Sequence, residues 1–337
     1  MTSLVIQTSF LGDMVLTTPL IAHLAASGPV DVLATPAAAT LLANNPSVRE
    51  TIVYDKRGSD RGAGGFVRLA RALRERQYAS AYLAQGSLRS GALAAASGIR
   101  ERVGFGTSAG RGLYTVRVPY IENVHHAARL LSLATRDAAA AVPRHALRPR
   151  LYPGAKERAA VDELLGAGAA AEPLVALAPG SVWATKRWPY FAGLARALGD
   201  VARIVVVGAD ADRPLADEIL AACGGRAIDA TGRLSLLASA ELVGRAALLV
   251  TNDSAPLHLA SAMNTPTIAV FGPTVPEFGF GPLADASVVV GQESLACRPC
   301  DRHGPQKCPL GHWHCMREIS AERVAAFARS LINRGSG

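Results

Sequence analysis

The sequence predicts an α/β protein made of two successive doubly wound parallel-sheet halves, and three observations carry that prediction. Short apolar runs alternate with alanine-rich stretches of helical length, the pattern left by repeated βαβ units. The alternation breaks once, over 137–173, where Pro143, Pro149, Pro153, Pro173 and the glycine-alanine run 166–171 read as a linker with a short helix inside it. The length, 337 residues, fits two domains at roughly 150 residues each.

In chain order, Leu4–Ile6 reads as a buried strand, followed by a loop from Gln7 to Gly12 and a helix from about Asp13 to Ala26. Val30–Ala34, Glu50–Tyr54 and Ala79–Ala84 read as further strands, with helices over Ala37–Ala43 and Phe66–Arg76. After the linker the alternation restarts with the strand Val175–Ala178, the helix Tyr190–Leu198, the strand Ile204–Gly208 and the helix Pro214–Cys223. The helix Leu236–Gly244, the strand Leu248–Thr251 and the helix Ala255–Met263 follow, then strands Thr267–Phe271 and Ser287–Val290 and a last helix, Ala321–Asn333. Two such halves predict a bilobal chain whose default ligand site is the cleft between the lobes. Its expected divisions are an N-terminal lobe over 1–165, a C-terminal lobe over 166–319 and a closing helical segment over 320–337 that packs back on the first lobe.

Half the residues (50%) are hydrophobic and 18% are charged, which excludes a disordered chain. A chain of this length buries roughly three-quarters of its surface on folding. Aromatics are only 5%, so alanine, leucine and valine must fill the core. Five cysteines are too few for a disulfide-framed secreted fold. The N-terminal run lacks a basic leader region and carries Asp13 in its middle, so it does not read as a secretion signal. No uncharged apolar stretch reaches the ~18 residues of a membrane span. A cytosolic chain with reduced cysteines is expected. Lys and Arg number 35 against 27 Asp and Glu, a net charge of +8, which suits phosphorylated substrates, an anionic membrane surface or nucleic acid. It also suits nothing more than solubility.

Three constellations could carry chemistry. Gly12-Asp13 stands where the first strand hands over to the first helix; there a glycine permits close backbone approach and a carboxylate can act as a base, or can merely cap the helix. Pro179-Gly180-Ser181-Val182-Trp183-Ala184-Thr185-Lys186-Arg187-Trp188-Pro189 follows a strand with backbone amides, hydroxyls and cations, the groups a diphosphate wants. The competing reading of Lys186 is an ordinary surface lysine. Thr251-Asn252-Asp253-Ser254-Ala255-Pro256-Leu257-His258 ends one strand and starts one helix. There, helix-start amides suit phosphate oxygens and Asp253 suits sugar hydroxyls, unless Asp253 is simply the N-cap. Phe271-Gly272-Pro273-Thr274 repeats the strand-then-loop arrangement. Neither a G-x-x-x-x-G-K-[ST] loop nor a strand-linked G-x-G-x-x-G occurs, which argues against a P-loop enzyme and a dinucleotide dehydrogenase.

Together and in this order, these blocks resemble the ADP-heptose:lipopolysaccharide heptosyltransferases of glycosyltransferase family 9, most closely the heptosyltransferase II branch. The resemblance spans nearly the whole chain. It includes Ser9-Phe10-Leu11-Gly12-Asp13, the run Gly86-Ser87-Leu88-Arg89-Ser90 with Gly98-Ile99 and Arg102-Val103-Gly104, and the three later blocks. It implies a GT-B architecture of two facing Rossmann-like lobes, with ADP-heptose held by the C-terminal lobe and a Kdo-bearing lipid A acceptor by the first. The family's general base falls on Asp13, beside Gly12. Its phosphate-binding lysine falls on Lys186, with hydroxyls at Ser181 and Thr185. The ribose acid falls on Asp210 or Asp212, the residue near adenine on Leu234, and the sugar and diphosphate positions on Asp253, Ser254 and His258. This chain has Ala255 where the family often has glycine. The reaction implied is inverting transfer without a catalytic cofactor or metal, at the cytoplasmic face of the inner membrane, with Arg57, Arg61 and Arg89 as acceptor contacts and no nucleic acid partner.

Cys297, Cys300, Cys308 and Cys315, with His303, His312 and His314 among them, resemble a structural zinc site in spacing, with the paired C-x-x-C present once. Reduced packing cysteines are the competing reading. The nearer rival is a family member using another nucleotide sugar or acceptor. The rival from another function class is a basic nucleic-acid-binding protein with a zinc module, against which the bilobal α/β pattern and the lack of interleaved aromatic and basic residues count.

Overall fold

The computed structural model describes residues 1–136, 142–166 and 172–335. It divides into two compact units, Met1–Tyr152 and Pro153–Gly337.

In the first unit the strands are β1 (Ser3–Gln7), β2 (Val30–Ala34), β3 (Glu50–Val53), β4 (Ser80–Leu83), β5 (Glu101–Phe105) and β6 (Val116–Val118). Between and after them run α1 (Leu11–Ala25), α2 (Pro36–Thr40), α3 (Gly62–Glu75), α4 (Leu88–Ala96), α5 (His126–Thr135) and α6 (Arg144–Leu147). The sheet order is β3-β2-β1-β4-β5-β6 and every pairing is parallel. β1 lies in the middle: Val5 registers with Val32 on one side and Tyr82 on the other. Helices cover both faces, so the central strands β2 and β4 are buried at every position rather than alternately. Pro19 sits inside α1 without ending it, because the Thr18 hydroxyl donates at 2.8 Å to the Val15 carbonyl that the proline leaves without an amide.

The second unit opens with α7 (Ala155–Leu165) and then β7 (Leu174–Ala178), α8 (Phe191–Leu198), β8 (Arg203–Val206), α9 (Arg213–Ala222), β9 (Ile228–Asp229) and α10 (Leu236–Arg245). It continues through β10 (Leu248–Asn252), α11 (Ala255–Met263), β11 (Thr267–Phe271), β12 (Ser287–Gly291), α12 (His314–Arg317) and α13 (Ala321–Gly335). Its order, β12-β11-β10-β7-β8-β9, is again all parallel. Successive residues of β7 feed opposite cores. Val175 and Leu177 join Phe191 and Leu194 on one face, while Leu174 and Ala176 join Leu242 and Val243 on the other.

Two expected divisions change. The second unit begins at Pro153 rather than after 165, because α7 contributes Val161 and Leu165 to the core beneath β7. The closing helix belongs to the second core: Val324, Ala325, Ala328, Leu331 and Ile332 pack there with Phe191 and Leu194. Within the expected linker, residues 137–141 and 167–171 lie outside the described residues. β5, β6, α4 and α5 were not legible as elements, since Glu-Arg-Val-Gly-Phe and Val-Arg-Val give short, charge-broken patterns. Among the described residues, no helix is long and apolar enough to cross a membrane.

Ending the chain at Ser320 strips Val324, Leu331 and Ile332 from the second core, a loss of about 5 kcal/mol at 1.5–3 kcal/mol per large aliphatic side chain. The truncated protein is expected to lose cooperative thermal unfolding of that unit, read by circular dichroism. A two-state melt near the full-length midpoint would show that the core closes without the helix.

Candidate active site

In a sheet whose first strand is central, the loops after that strand and after the one where the order reverses lie side by side at the carboxyl edge. Both units have this arrangement, at β1/β4 and at β7/β10.

In the first unit the two loops are tied together by Thr8 Oγ1 donating to Gln85 Oε1 at 3.3 Å, while Ser90 Oγ donates to the same oxygen at 2.8 Å. α1 starts at Leu11, so Gly12 is in its first turn rather than in the loop, and the N-cap residue is Phe10, which makes no side-chain cap. Asp13 therefore is not the cap. Its Oδ2 accepts from Ser9 Oγ, and its Oδ1 lies 3.8 Å from His126 Nε2, with the two side chains 20% and 13% exposed. Thr17 Oγ1 donates to the Asp13 carbonyl at 2.6 Å, and Gln7 Nε2 donates to Thr17 Oγ1 at 3.2 Å, so the start of α1 is fixed from its inner side.

A cationic group stands at this edge. Lys56 Nζ donates to the Thr8 carbonyl at 2.8 Å. Burial lowers its pKa, and the Arg57 and Arg89 charges lower it further. Arg89 Nε donates to the Tyr54 hydroxyl, and its guanidinium lies over the rings of Tyr54 and Phe66, 5.4 and 5.8 Å from their centroids. Arg57 is exposed, and Arg61 is exposed at the N-cap of α3. Arg102 is engaged with the main chain, donating from Nε to the Leu113 carbonyl at 2.7 Å.

In the second unit, Lys186 closes a short 3-10 turn, Ala184–Lys186, in the loop after β7. Its Nζ donates to Asp253 Oδ2 at 2.6 Å with both side chains 10% exposed. Thr274 Oγ1, from the loop after β11, donates to the same oxygen at 2.7 Å. Asn252, next to Asp253, locks the arrangement: its Nδ2 donates to the Pro179 carbonyl at 2.8 Å and its Oδ1 accepts from the Trp188 amide at 3.0 Å. Asp253 is not a helix cap either, because Ser254 holds that position for α11, with Ala255 next and His258 buried one turn on. Ser181 and Thr185 are buried beside Lys186. Ser181 Oγ accepts from the Trp183 amide at 3.3 Å, and Thr185 Oγ1 donates to the Pro305 carbonyl.

The two aspartates after β8 differ. Asp212 turns inward, its Oδ2 accepting from the Ala209 amide at 2.9 Å. Its carboxylate fills the space over Gly180, where a β-carbon would stand only 2.4 Å away. Asp210 pairs outward with Arg213 at 2.9 Å and is 82% exposed, while its Cβ would lie 2.9 Å from a β-carbon at Gly232 (φ +67°), two residues before the half-buried Leu234.

The sequence model for glycosyltransferase family 9 (heptosyltransferase) matches residues 66–314, most of the chain. The chain belongs to glycosyltransferase family 9. It is similar to lipopolysaccharide heptosyltransferase 2 of Escherichia coli K12, with 29% identity over 293 residues covering 82% of this chain and 84% of that one. Lipooligosaccharide heptosyltransferase 2 of Haemophilus influenzae is 29% identical over 98% of this chain and 99% of its own length. The solved structure of E. coli ADP-heptose lps heptosyltransferase II covers 100% of both chains at 27% identity with a TM-score of 0.84. This family 9 chain has the GT-B class of fold, two Rossmann-like parallel-sheet units, and is a glycosyltransferase.

The sequence blocks of the second unit therefore converge. Lys186, Ser181, Thr185, Asp253, Ser254 and Thr274 gather at the β7/β10 edge, and Asp212 and Gly180 meet beside it. Lys56 and His126 escaped the sequence reading. Lys56 lies in a polar run without a motif, and His126 reaches Asp13 only because α5 packs along α1.

The zinc expectation is corrected. Among the described residues, no group of three or more His, Cys, Asp or Glu side chains is placed to hold a metal ion. Cys300 Sγ turns to the Cys297 carbonyl at 3.2 Å, Cys297 Sγ lies 3.9 Å from His312 Nε2, and Cys315 is packed into the second core beside Met316. Burial pushes the Cys315 thiol up to about 11, with the Cys300, Cys308 and Cys297 sulfurs adding to the shift. Burial also raises Cys308, but the amides of Trp313, Leu310, Gly311 and His312 outweigh it and leave that thiol below its ordinary value.

Because the thiolate is the nucleophile, iodoacetamide at pH 7.5 is expected to modify Cys308 first and Cys315 last, with rates unchanged by a chelator. Mass-spectrometric mapping checks the order, and chelator-dependent labelling would restore a metal site. Asp253→Asn leaves the Lys186 ammonium without its counter-charge and is expected to cost about 3 kcal/mol in urea unfolding. A loss below about 0.5 kcal/mol would place the pair among solvent-screened surface bridges.

Proposed function

We propose that the chain is an inverting heptosyltransferase that moves heptose from ADP-L-glycero-D-manno-heptose to the inner core of lipopolysaccharide. The observation that carries this reading is the buried Lys186–Asp253 pair at the β7/β10 edge, 2.6 Å long and braced by Thr274. An ammonium has three N–H donors. One goes to Asp253, and the others suit the oxygens of a nucleoside diphosphate beside the first-turn amides of α11. Lys186 Nζ and Thr274 Oγ1 both donate to Oδ2 of Asp253, so Oδ1 suits a donor-sugar hydroxyl. The similarity to an ADP-heptose lipopolysaccharide heptosyltransferase supports the choice of nucleotide and sugar.

In this reading Ser181, Thr185 and the loop amides hold the diphosphate, Asp212 or Asp210 takes the ribose hydroxyls, and Leu234 lies against adenine. Ser254, Ala255 and His258 line the helix start beneath the sugar and diphosphate. Asp13 takes the proton from an acceptor hydroxyl as that oxygen attacks the anomeric carbon. The carbon–oxygen bond to ADP breaks on the opposite side, so configuration inverts in one displacement. Negative charge then grows on the departing diphosphate, where Lys186, Arg187 and the amides meet it. Arg57, Arg61 and Arg89 suit the phosphates and carboxylates of a Kdo-lipid A acceptor. Arg89 is already oriented by the Tyr54 and Phe66 rings. Basic residues near an anionic membrane gain about 1 kcal/mol each, which supports peripheral attachment to the inner face of that membrane.

Asp13→Asn is expected to keep ADP affinity and lower transfer by about 10²–10⁴-fold, the worth of a positioned base. The assay is product formation from ADP-heptose alongside calorimetric ADP titration, and turnover at the wild-type rate would remove Asp13 from that role. Lys186→Ala is expected to weaken ADP binding at least tenfold, about 1.4 kcal/mol. Preferential binding of UDP or GDP by the parent chain would move the donor to another nucleotide sugar.

A further inference from the structure

The donor-site loops do not stand by themselves. The segment 295–308, between β12 and α12, contributes no group to the site as described, yet it touches both loops that build it. Pro305 accepts from the Thr185 hydroxyl, Gln306 Oε1 accepts from the Ala184 amide at 3.1 Å, and Gln306 Nε2 donates to the Val182 carbonyl at 3.0 Å. The Cys300 amide donates to the Pro273 carbonyl at 2.9 Å. At the centre of the segment is Arg298, whose guanidinium serves carbonyl oxygens. Nε donates to Gly272 at 2.6 Å, and Nη2 donates to Phe271 and to Thr274, both at 3.0 Å. Nη1 donates to Gln292 at 3.2 Å.

The geometry points to Arg298 as a positioning residue for donor binding, one that holds the Phe271–Thr274 loop so that Thr274 can fix Asp253, and Asp253 can fix Lys186. The inference rests on the donor-site reading above. The chain of contacts is continuous: Arg298 holds the carbonyls of 271, 272 and 274, Thr274 Oγ1 holds Asp253 Oδ2, and that oxygen holds Lys186 Nζ. Strand β11 ends at Phe271, so beyond it the loop has no sheet ladder to fix its carbonyls. A planar guanidinium with five donors can span three carbonyls of one turn, whereas a lysine ammonium is a point charge on a flexible stem. The sequence around it makes room for this. A β-carbon at Gly291 would lie 2.8 Å from Nη2 and 3.0 Å from Nη1.

Arg298 touches neither sugar nor phosphate in this account, so its removal acts on affinity through the loop. The full-length protein, its R298M variant, T274V and the R298M/T274V double variant are titrated with ADP by calorimetry, each at a temperature where circular dichroism shows it folded. R298M is expected to weaken ADP binding about tenfold and to raise the KM for ADP-heptose more than it lowers kcat. In the T274V background, where the link to Asp253 is already cut, the same change is expected to cost less than about twofold, the non-additivity of residues acting in one network. Gly291→Ala displaces the guanidinium without deleting a donor and is expected to weaken ADP in the same direction, about threefold; it keeps the test open if R298M does not fold. Wild-type ADP affinity in folded R298M, or equal effects of R298M with and without Thr274, would overturn the positioning role and leave the donor site standing. A parent chain that binds no ADP would overturn the donor-site reading and this inference together.

Discussion

Lys186 and Asp253 meet at 2.6 Å with only a tenth of each side chain exposed, and the second unit is arranged around what that burial requires. Charges removed from water must be paired and hydrogen-bonded or they destabilise the fold by several kcal/mol. The loop after β7 brings the ammonium, the strand end of β10 brings the carboxylate, and the loop after β11 brings the Thr274 hydroxyl. Asn252 then joins the first two at the backbone through Pro179 and Trp188. A pair held by three loops is a poor choice for stability alone, since an apolar substitute costs less. It is a good choice for holding one cation in one fixed place.

The arrangement is available because both sheets are parallel and start in the middle. Parallel strands deliver every connecting loop to the same edge, and the reversal of strand order opens a gap between neighbouring loops at β1/β4 and β7/β10. The first unit uses its gap differently. Asp13 enters on the first turn of α1, held by Ser9 and approached by His126, with Lys56, Arg57 and Arg89 nearby. One unit therefore brings a carboxylate and cations to the same sheet edge, and the other buries a cation against a carboxylate.

The cysteine-bearing segment shows how spacing can mislead. Four thiols within a short stretch resemble a metal site, but a metal needs their sulfurs to converge, and here one faces a carbonyl, one a histidine, and one the apolar core. What the segment supplies is backbone and an arginine. Its amides, carbonyls and Arg298 stitch the loops after β7 and β11 into place.

The sequence by itself determined the fold class and the loops that matter. Apolar period and strand length mark buried parallel strands, and the handover from Val175–Ala178 to Pro179-Gly180-Ser181, or from Leu248–Thr251 to Asn252-Asp253-Ser254, is local information that the chain carries openly. β2, α11 and β11 came out with the same bounds from sequence and structure, because each is flanked by residues that punctuate the chain: Gly28-Pro29 and Pro36, Ser254 and Asn264, Pro266 and Gly272-Pro273. Tertiary structure alone decided what is joined across distance: that α7 and α13 belong to the second core, that Asp253 serves Lys186 rather than the helix amides, that His126 reaches Asp13, and that Arg298 braces Thr274. Those pairings link residues tens of positions apart in sequence, and no local pattern encodes them. They follow from the order in which parallel strands lie side by side, which is set by the packing of both faces at once rather than by any segment read alone.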